Sequence, residues 1–405
     1  MDSLNIALVT VGGVVLVAGL FSNPIRRAFV STPLLALAVG ILLGPSVSGL
    51  LDPAEWGRQE LILEEAARLT LGVALMGVAL RLPEKFPSRN WRTLAVLLGI
   101  VMPFMWLASG FLVYVILGLP ILAALLVGAV ITPTDPVVSS TIVTGEVAEE
   151  NLPAEMRHTL AAESGANDGL AYPFVFLPIL LLSRPPGEAL SHWLTHTLLW
   201  EIGGAVAFGA LVGYGAGRLV EWAESRDEIE ETFFLAYTIA LSLLVLGAAK
   251  LLGSDGILAV FVAGLAFDQA VGGDRARQEQ MQESVTRFFI LPIFVLLGLA
   301  LPWQEWLDLG WSALLLVAAV LFLRRLPALL VLNPLLGPVR GLRKALFLGW
   351  FGPIGVAALY YATLSQREAG VSEAWVVGSL VICASIIVHG MSAAPLSKLY
   401  GRKSE

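Results

Sequence analysis

The side chains best suited to chemistry lie in two neighbouring apolar stretches. One carries Glu163-Ser164-Gly165-Ala166-Asn167-Asp168, and the one before it carries Thr132-Pro133-Thr134-Asp135-Pro136. Residues four apart share a helix face, so Glu163 with Asn167 and Ser164 with Asp168 build a contiguous polar patch one turn tall. Carboxylate, hydroxyl and amide oxygens are hard ligands that suit an alkali ion such as Na+. The same carboxylate can hold a proton instead, because burial favours its neutral form and a nearby cation its charged form. A group that takes Na+ or H+, but not both, exchanges them when it faces two sides alternately. Asp168 is the candidate for that competition, with Ser164 as its companion ligand to Na+. The plainer reading is an acid-amide pair that ties helices together. An ionised group in hydrocarbon costs from about 3 to more than 10 kcal/mol, so such groups usually mark an ion or proton pathway.

A second bare charge beside Asp168 would be repulsive, and Glu163 therefore needs a partner. The run Leu323-Arg324-Arg325-Leu326-Pro327 supplies one, and Arg325 is assigned to Glu163 as a structural ion pair. The alternative has both arginines reaching to a membrane surface. Asp135 stands before Pro136, the usual arrangement of a helix cap and first helical residue, so it either contacts the ion or only caps a helix. Each proline also removes an N–H and strands the carbonyl four residues earlier. Pro133, Pro136 and Pro353 thereby free the carbonyls of Ala129, Thr132 and Gly349, for which a cation is one partner.

These residues must be held by membrane helices. Of 405 residues, 57% are hydrophobic and 14% charged, and the mean hydropathy is +0.80, which excludes a soluble domain. Thirteen apolar stretches are long enough to be read as spans, near 5-21, 33-51, 62-81, 92-117, 119-143, 157-182, 195-222, 232-250, 256-271, 285-301, 311-334, 343-364 and 375-396. Lys and Arg crowd onto alternate connections: 18 of the 25 fall on one side and 5 on the other, with Arg324 and Arg325 inside a span. By the positive-inside rule the N-terminus is outside and the C-terminus cytoplasmic. The single cysteine, Cys383, excludes an internal disulfide and a cysteine metal cluster.

The reading is one transmembrane domain over 1-405, all α-helical, with no soluble regulatory domain expected after the last span. Two spans carry proline-containing interruptions, Pro133 to Pro136 in the fifth and Gly352-Pro353-Ile354-Gly355 in the twelfth, 217 residues apart from Pro136 to Pro353. They occupy the fifth place in spans one to six and in spans eight to thirteen. That is the pattern of two six-helix repeats of inverted topology whose discontinuous helices cross at the midplane. An ion channel would want a continuous polar pore and a repeated filter, and neither is visible. An intramembrane aspartyl protease needs two acids on different helices sharing a proton, whereas Asp135 is flanked by proline. No phosphate-cradling loop, nucleic-acid motif or cofactor-binding motif is present.

At these residues the chain resembles the monovalent cation/proton antiporters of the NhaP and sodium/proton exchanger type. The matching pieces are Thr134-Asp135-Pro136, Glu163-Ser164 with Asn167-Asp168, Gly256-Ile257-Leu258-Ala259-Val260 leading to Gly264, the Arg325 region, and His389-Gly390. Leu82-Pro83-Glu84-Lys85, Ala161 to Gly169 and Gly349 to Val356 are most similar to the fungal plasma-membrane branch. The resemblance implies a thirteen-helix fold, a homodimer, and a core (about 92-182 and 311-396) moving like an elevator against a scaffold (about 1-91 and 195-301). It further implies that Asp168 binds the ion, that Ser164 and the backbone near Thr134 assist, and that Asn167 holds the unwound segments. The cargo implied is Na+, with Li+ and K+ as further candidates, against H+; a potassium/proton antiporter is the alternative. The Asn167-Asp168 pair is associated with electroneutral exchange. Many relatives carry Arg where this chain has Ile354, which removes any pH sensing by that arginine. His389 carries the family's His-Gly pattern, though a buried histidine is also a common core residue.

Overall fold

In a lipid phase a backbone must satisfy its own polar groups, which leaves helices as the economical choice for runs this apolar. The computed structural model describes residues 2–20, 31–226, 234–271 and 288–402, and these contain helices and no strand. The principal helices are α1 (Asp2–Leu20), α2 (Thr32–Leu43), α3 (Gln59–Leu80), α4 (Trp91–Leu117), α5 (Ile121–Val130), α6 (Ala154–Ser183) and α7 (Pro186–Glu224). They continue with α8 (Phe234–Leu251), α9 (Gly256–Ala270), α10 (Phe288–Leu299), α11 (Trp311–Val331), α12 (Leu342–Trp350), α13 (Val356–Ala369) and α14 (Glu373–Arg402). Six of them, α4, α6, α7, α8, α11 and α14, are each long and apolar enough to cross a membrane, and α10 makes with Trp303–Leu309 a pair bent by 65°. Most stretches read as spans fall on one of these helices as far as their residues are described, but 33-51 runs past the end of α2 at Leu43, 119-143 continues beyond α5 into the break at Pro133 to Pro136, and 343-364 holds two helices, α12 and α13, either side of a break. The loop charges Arg26, Arg27, Arg275, Arg277, Arg287 and Lys403 lie outside the described residues.

Two interruptions organise the rest. Helix α5 stops at Val130 because Pro133 and Pro136 follow, and regular helix resumes only at Ser140. Between α12 and α13 the chain runs non-helically through Phe351, Gly352, Pro353, Ile354 and Gly355. The two broken segments touch: the Asp135 N–H donates to the Pro353 carbonyl at 2.7 Å. Helix α6 runs past them, and α11 bends at Arg324 and Arg325, just before Leu326-Pro327.

Small residues let the backbones approach, as membrane helix packing favours. Gly209, Gly213 and Gly217 on α7 face the backbone of α9 so closely that an added Cβ would strike Ala259, Ala263 and Phe267. Gly165 and Gly169 on α6 likewise sit against Phe261 and Leu258 of α9. Helix α9 is thus clasped between α7 and the helix that carries Asp168.

Candidate ion-binding site

Thr134, Asp135, Glu163, Ser164, Asn167, Asp168, Arg324 and Arg325 are all buried, none more than 3% exposed. Asn167 is the hub. Its Oδ1 accepts from the Thr134 N–H at 3.0 Å, and its Nδ2 donates to Thr134 Oγ1 at 2.6 Å and to Glu163 Oε1 at 2.9 Å. The Thr134 and Ser164 hydroxyls lie 3.0 Å apart. One amide therefore ties the unwound segment after α5 to the polar face of α6.

Glu163 meets Arg325 in a two-pronged ion pair, Nη1 to Oε1 at 2.8 Å and Nη2 to Oε2 at 2.9 Å. Arg325 Nε also donates to the Leu348 carbonyl at 2.9 Å, so the guanidinium joins α6, α11 and α12. A planar guanidinium matches a carboxylate in this fork geometry, which a lysine would not. Gly352 makes the room, because an added Cβ would strike the Arg325 side chain.

Asp135 uses both carboxylate oxygens on backbone. Oδ1 accepts from Val137 N at 2.6 Å and Val138 N at 3.0 Å, capping the resumed segment, while Oδ2 accepts from Val356 N, the first residue of α13. One acid thus satisfies orphan donors at the starts of two helical segments that meet here, and places negative charge where the peptide dipoles favour it. Gly355 lies against this carboxylate so closely that a Cβ there would collide with it.

The stranded carbonyls find a resident cation. Arg324 donates to the carbonyls of Ile131 and Gly352, and to those of Thr132 at 3.2 Å and Pro133 at 3.4 Å. Thr132 carries the carbonyl that Pro136 frees; the one that Pro133 frees, on Ala129, accepts from the Thr132 N–H at 3.2 Å. Arg324 therefore does not reach for a membrane surface. Its role escaped the sequence reading, because the acceptors are backbone atoms that no residue letter marks.

Asp168 differs from every other acid here. Neither carboxylate oxygen has a hydrogen-bond partner among the described residues, although the side chain is fully buried. Its backbone is held: its carbonyl accepts from the Tyr361 hydroxyl at 2.6 Å. In formal charge, Arg324 and Arg325 balance Asp135 and Glu163, and the ionised Asp168 is left over. The second break has its own anchor, where the Ile354 N–H donates to Ser385 Oγ at 2.7 Å. His389 lies 3.0 Å from that hydroxyl and 2.9 Å from the Trp350 carbonyl, so both ring nitrogens are engaged. That is the geometry of a satisfied core histidine. A Ser four residues before a His on one helix was the signal available for Ser385.

Fold and site together define a multi-pass membrane protein in which two broken helices cross beside a buried acidic patch. A family model described as sodium/hydrogen exchanger, transmembrane, matches residues 12–399, and the chain belongs to that family. It is 33% identical over 401 residues to the Na(+)/H(+) antiporter 2 of Zygosaccharomyces rouxii, covering 91% of this chain and 50% of that protein. Identity to the Na(+)/H(+) antiporter of Schizosaccharomyces pombe is 31% over 423 residues, covering 97% of this chain and 90% of that one. The chain spans about half the length of several fungal relatives that it matches, from 41 to 56%. The structure of the sodium proton antiporter MjNhaP1 from Methanocaldococcus jannaschii superposes with a TM-score of 0.76 at 20% identity, covering 98% of this chain and all of that one. That likeness establishes the shared fold.

Proposed function

We propose that this chain is a secondary active antiporter that exchanges a monovalent cation, Na+ or Li+ in the first place, for H+. The observation that carries the reading is Asp168: a fully buried carboxylate with no hydrogen-bond partner among the described residues, beside a frame whose other charges cancel. A proton or a cation neutralises it equally well, and the two compete. On α6, Ser164 lies one turn before Asp168, and the Ser164 and Thr134 hydroxyls touch, so they are the oxygens at hand to replace a cation's water. Asn167 holds the broken segment to α6 and positions those oxygens. Asp135, with both of its oxygens engaged by backbone, positions the two helix starts and leaves binding to Asp168.

In this reading thirteen helices cross the plasma membrane, with the N-terminus outside and the C-terminus in the cytoplasm, as the loop charges favour. The core formed by 92-182 and 311-396 moves against the scaffold of 1-91 and 195-301, in a homodimer, and presents Asp168 to each side in turn. No resident cofactor takes part; Na+ and H+ are cargo.

The test is cation-induced dequenching of a pH-sensitive dye in everted membrane vesicles, with NaCl, LiCl and KCl compared. Asp168→Asn is expected to abolish the response to all three salts at unchanged expression. Exchange at a wild-type rate in that variant sinks the mechanism. A response to KCl that equals the response to NaCl moves the cargo to K+ and the role to potassium and pH balance.

A further inference from the structure

A second polar cavity lies one helical turn from the ion site and shares no side chain with it. This pocket of about 90 Å3 is lined by Tyr172, Glu201, Lys250, Ser254, Asp255 and Tyr360, with Arg68 at one wall. Two of its walls are neighbours of Asp168. Tyr172 follows Asp168 by four residues on α6, and so lies over the same face of that helix. Tyr360 directly precedes Tyr361, whose hydroxyl holds the Asp168 carbonyl.

Glu201 is the group that the fold leaves open. It belongs to a π-helical stretch of α7, Trp193–Ile202, a backbone form that recurs at functional positions. Its Oε1 accepts from the Tyr172 hydroxyl at 2.8 Å and stands 3.9 Å from His196 Nε2. Its Oε2 is enclosed and has no hydrogen-bond partner among the described residues. The Glu201 carbonyl accepts from Asp255 N at 3.0 Å and from Ser254 Oγ at 2.8 Å, which pins this turn to the head of α9. Tyr360 is a second open group: only 5% exposed, it lines the pocket, and its hydroxyl makes no hydrogen bond among the described residues.

The charges around the pocket decide what fits. Asp255 caps α9 through the Leu258 N–H at 2.6 Å, and Arg68 is paired with Glu65 at 2.7 Å. Lys250 is exposed and can turn to water. What lines the pocket is one Glu201 oxygen unpartnered among the described residues, the Asp255 carboxylate that caps α9, the Tyr360 phenol, and the Ser254 hydroxyl, whose oxygen can still accept while its proton goes to the Glu201 carbonyl. With Arg68 engaged by Glu65 and Lys250 exposed, an anion would meet the Glu201 and Asp255 carboxylates with no free cation among the described residues enclosed beside them, and a divalent cation would want more than one open carboxylate. A monovalent cation that keeps part of its water suits the donors and the volume.

We propose that this pocket is a second, transient cation site, an antechamber on one face of the membrane through which a monovalent cation reaches or leaves Asp168. Glu201 Oε2 supplies the charge, and Tyr360 and Ser254 supply neutral oxygens. The proposal rests on the antiport reading above. In that reading Tyr172 and Tyr360 belong to the moving core, whereas Glu201, Ser254 and Asp255 belong to the scaffold. The pocket then opens or closes as the core travels.

The experiment measures the apparent KM for Na+ in vesicles of both orientations, everted and right-side-out, for Glu201→Gln and Tyr360→Phe. Glutamine keeps the acceptor that Tyr172 uses, and phenylalanine removes a hydroxyl that has no partner to lose. Glu201→Gln is expected to raise the KM about three- to fivefold from one face of the membrane and less than twofold from the other, the scale of one partly screened charge contact. Tyr360→Phe is expected to shift the same face in the same direction. Unchanged values from both faces overturn the antechamber, and so does an equal rise from both, which is what a merely structural role predicts. If Glu201→Gln does not elute as folded protein in size exclusion, Tyr360→Phe alone decides by the same criteria. Asp168→Asn is run beside them: wild-type exchange in that variant defeats the antiport reading itself. An inactive Asp168→Asn together with a symmetric or absent shift in Glu201→Gln defeats only the antechamber.

Discussion

At the scale of single residues, three buried acids within one neighbourhood have three different fates, decided by what each finds to bond. Glu163 finds Arg325, Asp135 finds backbone N–H groups, and Asp168 finds nothing among the described residues. Removing one half of a fully buried ion pair costs about 3 to 5 kcal/mol, because the other half is left charged in an apolar interior. Arg325→Ala is therefore expected to lower the thermal unfolding midpoint of the detergent-solubilised protein sharply. Adding Glu163→Ala should recover part of the loss, whereas additive losses argue that the two residues act independently. Asp135→Ala strips caps from two helix starts and should cost about 1 to 2 kcal/mol at each. Asp135→Asn keeps one acceptor oxygen and should fall between alanine and wild type in the same measurement. Charges of this kind leave a trace in a sequence, since Glu163 and Arg325 each demand an opposite charge once the segment is read as membrane. The division of labour between Asp135 and Asp168 leaves a weaker trace. Asp-Pro signals a cap, but only the fold brings Val356, 221 positions later, to the second oxygen.

At the scale of elements, the site exists because two helices are broken and a third runs unbroken past them. The breaks were legible, because proline cannot continue a helix and Pro133, Pro136 and Pro353 stand inside otherwise apolar runs. Where the freed carbonyls would go was not legible, since Arg324 and Arg325 are adjacent and identical in type. The bend of α11 between them sends one to carbonyls and the other to a carboxylate. The glycines of the second break are spatial requirements. Gly355→Ala would push a methyl into Asp135, and Gly352→Ala into Arg325. Each is expected to cost about 1 to 3 kcal/mol as overpacking, seen as reduced folded yield in fluorescence-detected size exclusion. Alanine at Gly99 or Gly215, where a Cβ meets nothing within 4 Å, should leave the yield near wild type.

At the scale of the whole molecule, the proposed exchange implies a ratio. If Asp168 is the competing group, one carboxylate takes either one proton or one monovalent cation, and each cycle carries one charge in each direction. Exchange in proteoliposomes should then proceed at the same rate whether or not a valinomycin-imposed potential is present, and a rate that follows the potential argues for a second titrating group. Competition at one carboxylate also fixes the sign of the pH dependence: lowering the pH on the cation side should raise the apparent KM for Na+ while the rate at saturating Na+ changes far less. The arginine that takes the broken helices' carbonyls bears on selectivity as well. With Ile131, Thr132, Pro133 and Gly352 oxygens claimed by a guanidinium, the site cannot form a rigid carbonyl cage of fixed radius. In the proposed reading, discrimination among ions by size then falls to the Asp168 carboxylate and the Ser164 and Thr134 hydroxyls, which Asn167 and their mutual contact hold in place. A change at Ser164 or Thr134 is then expected to alter the preference among Li+, Na+ and K+, read as the relative dye response to the three salts.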